Sequence, residues 1–208
     1  MPTTKEAEQV EEMNQILEML KLLCSDVDEI WGIQEYPTKT YVCNPALLPA
    51  IDRRQLIRAA FATIEAMVFN LKRMAIMASD NRQSLTDSEK MLCSEITPIL
   101  EENGSIKDQK ARLSLCPNLR FAFQMFAKAW GVQFALNVNC PEWQQLKNSV
   151  KVRDRLMHPK KIHDLNITDS EIQDAMRAFG WIHQVSSEVF TQVVKTIQSE
   201  AANFRGEL

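Results

Sequence analysis

An arginine and a histidine five residues apart, Arg153 and His158, close a predicted helix that Pro159 stops at once. The run is Arg153-Asp154-Arg155-Leu156-Met157-His158-Pro159. These two side-chain types are what metal-free phosphodiester cleavage needs. A guanidinium is planar, always charged and matches two phosphate oxygens together. An imidazole, with a reference pKa of about 6.5, takes up and returns a proton near neutral pH. Asp154 follows the arginine directly and is placed to orient either side chain or to balance charge at the surface. The candidate catalytic set is therefore Arg153, Asp154 and His158.

The surroundings of this pair are basic. From Lys147 to Lys161 there are six Lys/Arg and one acid, in a chain whose net charge is -3. Lys151, Arg155, Lys160 and Lys161 form a footprint suited to tracking phosphates. The plainer reading of the lysines is a solvated face with cations at a helix C-terminus, where the backbone dipole favours them.

Each helical residue advances about 100°. With Trp143 at zero, Leu146, Val150 and Met157 fall near about 300°, 340° and 320°, and Arg153 near about 280°, at the edge of that apolar stripe. A cation there is costly unless paired. Either an internal acid satisfies it, or the stripe edge opens onto a cleft or a partner chain. Arg153 and His158 are about 140° apart by the same rule, so they do not converge on one group within a straight helix. Pro159 disfavours the helical region for His158 and lets its side chain depart from the helical direction. A two-fold dimer would also bring two copies of the segment together.

The elements that must position these groups are helices. Five Gly and eight Pro are few for a turn-rich β fold. Capping boxes at Asp52–Gln55, Thr86–Glu89 and Thr168–Glu171, with a weaker one at Thr3–Glu6, mark helix starts; Ile51 with Leu56 and Ile167 with Ile172 are the staples. Apolar periodicity predicts helices over about 4–30, 52–79, 118–130, 141–157 and 168–202, with a short one after Thr86. Residues 34–50, with three Pro, read as a loop, and Asn103-Gly104 as a turn within a mixed stretch over about 96–116. The expected fold is all-α: an up-and-down bundle of four to five core helices with an irregular insertion. It forms a single domain over 1–208, with an N-terminal helix in 1–33 and a core over 50–200.

Composition narrows the classes. A net charge of -3 excludes a polyanion binder that works through its bulk field. No run of about 18 apolar residues is present, so no membrane span is expected. The start, MPTTKEAEQVEEMNQ, is polar and acidic, unlike a signal peptide. Cys24, Cys43, Cys93, Cys116 and Cys140 are widely spaced, without C-x-x-C or Cys/His ligand spacing. Neither zinc nor a disulfide framework is expected, no cofactor is called for, and a cytoplasmic setting fits.

Other candidates read more blandly. His158 and His163 lack a carboxylate or thiol to complete a metal site. His183 beside Ile182 reads as a core histidine, or as a neighbour of the cleft. Glu65, with Arg58 and Lys72 seven residues to either side, reads as a solvated face or as a polar group offered to the cleft. Phe121, Phe123, Phe126 and Trp130 suit a helical core better than base stacking. No Gly-rich phosphate loop or G-x-S-x-G is present.

The segment from Arg153 to His158 resembles the R-x(4–6)-H motif of the HEPN superfamily, with a polar residue after the arginine. It sits on a late helix followed by one more long helix, as in that family, and the likeness covers the motif and the helical layout over about 50–200. Where the family often has Asn after the arginine, this chain has Asp154. The resemblance implies a HEPN-like bundle that dimerises, with Arg and His of both protomers lining a shared cleft. It implies a metal-independent endoribonuclease (a hydrolase class) of the kind found in toxin–antitoxin, phage-defence and RNA-processing systems. RNA, a second copy and an antitoxin or defence-system protein are the implied partners. On this likeness, His158 of one protomer takes the proton from a ribose 2′-OH. Arg153 holds the phosphate and stabilises the developing charge. The partner's His158 protonates the leaving 5′-oxygen, giving a 2′,3′-cyclic phosphate. Lys151, Arg155, Lys160 and Lys161 become RNA-binding residues. Other members do not catalyse, so the alternative is a non-catalytic helical module that binds a partner protein or nucleotide.

Overall fold

The computed structural model describes residues 4–31 and 44–206, with side chains described for 11–31 and 44–200. The Thr3–Glu6 capping box and residues 34–43 of the proline-bearing loop lie outside the described residues. The chain is all-α. Its helices are α1 (Thr4–Trp31), α2 (Ala50–Arg82), α3 (Asp87–Cys93), α4 (Leu115–Ala129), α5 (Pro141–Met157) and α6 (Asp169–Gly206). The two strands among the described residues, β1 (Ile96–Leu100) and β2 (Ile106–Lys110), pair antiparallel, with Leu100 opposite Ile106. Short 3-10 turns lie at Pro45–Leu47 and Ile162–Leu165. No helix among the described residues is long and apolar enough to cross a membrane.

Local chemistry explains most boundaries. Thr86 caps α3 reciprocally: its hydroxyl accepts from the Glu89 amide at 3.3 Å, and the Glu89 carboxylate accepts from the Thr86 amide at 2.9 Å. Thr168 and Glu171 repeat the exchange at the start of α6, at 3.3 and 2.9 Å, with Ile167 and Ile172 both buried. Asp52, by contrast, is not a cap. α2 begins at Ala50, and the Pro49 carbonyl already accepts from the Arg53 amide at 3.1 Å, so Asp52 lies inside the first turn. Asn103-Gly104 is the hairpin turn. Gly104 takes φ +82°, a left-handed value that favours glycine, and the Asn103 side chain accepts from the Ser105 amide at 2.8 Å.

The residues group into two compact units, each discontinuous in sequence. The first comprises Met1–Met67 and Asn137–His183. Here α1 meets α2 where the Thr63 hydroxyl donates to the Leu23 carbonyl at 3.2 Å, and α5 meets α6 where Trp143 and Trp181 stack edge to face at 6.2 Å. The second comprises Val68–Leu136 and Gln184–Leu208. Its core holds Ala75, Ala78, Leu85, Cys93, Met125 and Ala129, and Phe126 lies 4.9 Å from Phe190 between ring centres. The aromatic residues of α4 thus fill a core: Phe123 and Phe126 are buried.

Candidate active site

The Arg/His segment belongs to the first unit and is carried by α5. Pro141 starts this helix, where a missing N–H costs nothing. Its buried face consists of Trp143, Leu146, Ser149, Val152 and Leu156. This differs from the expected stripe: Met157 is exposed and Val150 only half-buried. The inward face turns instead toward Val152 and Leu156, two apolar residues outside the expected stripe, and it also carries Ser149, whose hydroxyl donates to the Gln145 carbonyl at 2.8 Å. The corrected face centres near about 240°, so Arg153 at about 280° lies within it and His158 at about 60° lies opposite.

An internal acid meets Arg153. Its Nη2 donates to Glu65 Oε1 of α2, and its Nη1 donates to Asp154 Oδ1 at 2.9 Å. The guanidinium side chain retains 29% exposure and Glu65 43%, so this is a half-exposed pair and solvent reaches it. One guanidinium thus faces two carboxylates. They hold it in place and also compete with any phosphate for it.

His158 ends α5. Its amide donates to the Asp154 carbonyl at 3.0 Å, its backbone leaves the helical region at φ −131°, ψ 59°, and its side chain is exposed. The departure expected from Pro159 is present. Arg153 and His158 occupy different sides of one helix, so a single chain does not close them around one small group.

Arg155 has another job than the one expected of it. Its Nε donates to the Asp164 carbonyl at 3.0 Å, and its Nη2 to the Asn166 carbonyl at 2.9 Å. Both terminal nitrogens also reach Glu171, at 2.9 and 3.2 Å. Four of the donors of this guanidinium are taken by its own chain. Burial raises the Glu171 pKa, but the Arg155 hydrogen bond and the Thr168 amide outweigh it and hold the carboxyl below its ordinary value.

Lys151, Lys160 and Lys161 are exposed. The backbone amides of Lys160 and Lys161 both donate to Asp164 Oδ2, at 2.7 and 2.9 Å, and keep that carboxyl below its usual value. Lys147 stands over the Trp143 ring at 6.0 Å. His163 is exposed beside Asp164, and His183 is half-buried on α6. Among the described residues no group of three or more His, Cys, Asp or Glu forms a metal-binding set.

The pairings that the sequence left open are those of two acids. Glu65, read from its line with Arg58 and Lys72 as a solvated face or a polar group offered to the cleft, lies 88 residues from Arg153 in the chain. Glu171 was legible as a cap, not as the partner of Arg155. Comparison with family models, with curated proteins and with solved structures finds no match to this chain.

Proposed function

We propose that this chain is a metal-independent endoribonuclease of HEPN type, acting as a homodimer with a composite Arg153/His158 site. One observation supports it above the rest: α5 ends in an exposed imidazole, five residues beyond a guanidinium fixed by two carboxylates yet open to solvent. His158 of one protomer takes the 2′-OH proton, Arg153 neutralises the phosphate, and the partner's His158 protonates the leaving oxygen. Asp154 orients Arg153. Lys151, Lys160 and Lys161 track the backbone, and an antitoxin or defence-system protein restrains the activity. The test is RNA cleavage in excess EDTA by the wild type, His158→Ala and Arg153→Ala. Cleavage to a 2′,3′-cyclic phosphate by the wild type alone supports the reading; a metal requirement, or cleavage surviving both changes, refutes it. DNA, without a 2′-OH, is expected to resist.

The carboxylates of Glu65 and Asp154 on Arg153 favour a second reading, a non-catalytic helical module that binds a partner protein or nucleotide. There Arg153 is a structural cation. If His158→Ala leaves the dimer intact but abolishes RNA decay in cells, this second reading fails; if it dissociates the dimer without any RNA phenotype, the nuclease reading loses its support.

A further inference from the structure

The segment between α5 and α6 is short of secondary structure but not of bonds. Arg155 binds the carbonyls of Asp164 and Asn166 and the Glu171 carboxylate. Arg53, from the first turn of α2, donates to the next carbonyl, Ile167, at 2.9 Å. It also pairs with Asp169 at 2.6 Å and holds the carbonyls of Pro45 and Leu48, at 2.7 and 3.0 Å. Asp164 closes the ring from inside by accepting from the Lys160 and Lys161 amides. His158 is thus pinned on both sides. Its own amide is tied to Asp154, and two residues further on the chain turns around the Asp164 carboxylate, with the Asp164 carbonyl held by Arg155.

We propose that Arg155 is a positioning residue for His158. Through Asp164, Asn166 and Glu171 it sets the path from His158 to Thr168, and so the place of the imidazole, while making no contact with RNA. This rests on the ribonuclease reading above. A lysine at 155 keeps the charge but loses the fork that serves two carbonyls and a carboxylate together. A side chain acting through position alters turnover, because a displacement of about 1 Å costs on the order of a hundredfold. A phosphate-binding side chain alters KM and the salt dependence instead.

The experiment compares Arg155→Lys, Glu171→Gln and Lys160→Gln in RNA cleavage, with amide hydrogen exchange of Lys160 and Lys161 as a readout independent of activity. For Arg155→Lys, kcat falls by about tenfold or more with KM within about twofold, and both amides exchange faster. Glu171→Gln reproduces that pattern, whereas Lys160→Gln raises KM and flattens the salt dependence. Should Arg155→Lys fail to fold, Glu171→Gln, which leaves the carbonyl bonds of Arg155 in place, takes over the test. A raised KM at unchanged kcat in Arg155→Lys makes it a phosphate ligand and overturns the proposal, as does unchanged exchange with unchanged kcat. A wild type that leaves RNA intact removes the reaction and with it the role assigned to Arg155 in catalysis. Unchanged amide exchange removes the clamp itself.

Discussion

Lys72 is the largest charged group inside the second unit, with no exposed side-chain surface, and replacing it should separate packing from charge. Its Nζ donates to Glu95 Oε1 at 2.7 Å and to Asn118 Oδ1 at 3.0 Å. Lys72→Ala deletes about three buried methylenes, worth about 0.8 kcal/mol each, or roughly 2.4 kcal/mol before any cavity term. It also strips Glu95 of its donor. Glu95 keeps 21% side-chain exposure and rehydrates in part, so about 1–2 kcal/mol is assigned to that loss. The expected total is about 3–4 kcal/mol. Lys72→Met retains the apolar volume and should cost only the second part, about 1–2 kcal/mol. Adding Glu95→Gln to Lys72→Met removes the uncompensated charge and should return stability to within about 1 kcal/mol of the wild type. Urea unfolding followed by far-ultraviolet circular dichroism at pH 7 measures all three. If Lys72→Met costs as much as Lys72→Ala, or Glu95→Gln restores nothing, the lysine stabilises through something other than this pair, and the reasoning is wrong.

Two further outcomes concern the carboxylates. Glu65→Gln removes one of the two acids on Arg153; because the pair is half-exposed, stability should fall by less than about 1 kcal/mol. RNA affinity should rise, with a salt slope steeper by about one phosphate contact, in filter binding across a salt series. Weaker binding would show that Glu65 preorganises Arg153 rather than competing for it. The second outcome is pH dependence. The Lys72 hydrogen bond holds Glu95 below the ordinary value of 4.5, the Lys128 hydrogen bond does the same for Glu89, and Glu171 is lowered by Arg155 against its burial. The folded state therefore binds fewer protons than the unfolded one, so this stability is complete above about pH 4.5 and drains away as pH falls through the folded values. Glu171→Gln should flatten that acid limb in pH-dependent melts; an unchanged limb would remove Glu171 from the set.

What was legible followed from short range. The boxes at Thr86 and Thr168 join residues three apart, so the letters suffice. The C-terminal exit at His158 is local too, since Pro159 acts on its immediate neighbour. The hairpin escaped because β2 is exposed throughout and β1 nearly so, which leaves no alternation of apolar and polar residues to read. The face of α5 was misplaced because Val150 and Met157 are as apolar as Val152 and Leu156, so residue type does not say which pair turns inward, and the inward bonds of Arg155 escaped because a basic run looks the same whether its members reach solvent or turn inward.

By itself the sequence determined the class of architecture, the helix starts at Thr86 and Thr168 and the residue types of the Arg/His segment, because helix propensity, capping and proline sterics act within a few positions. Only the tertiary structure decided that Glu65 meets Arg153, that Arg155 binds its own backbone and that Lys72 is interior. Each of these pairs residues far apart in the chain or on different elements. Which cation meets which anion depends on how helices pack, and packing is a sum over many contacts that no local pattern encodes.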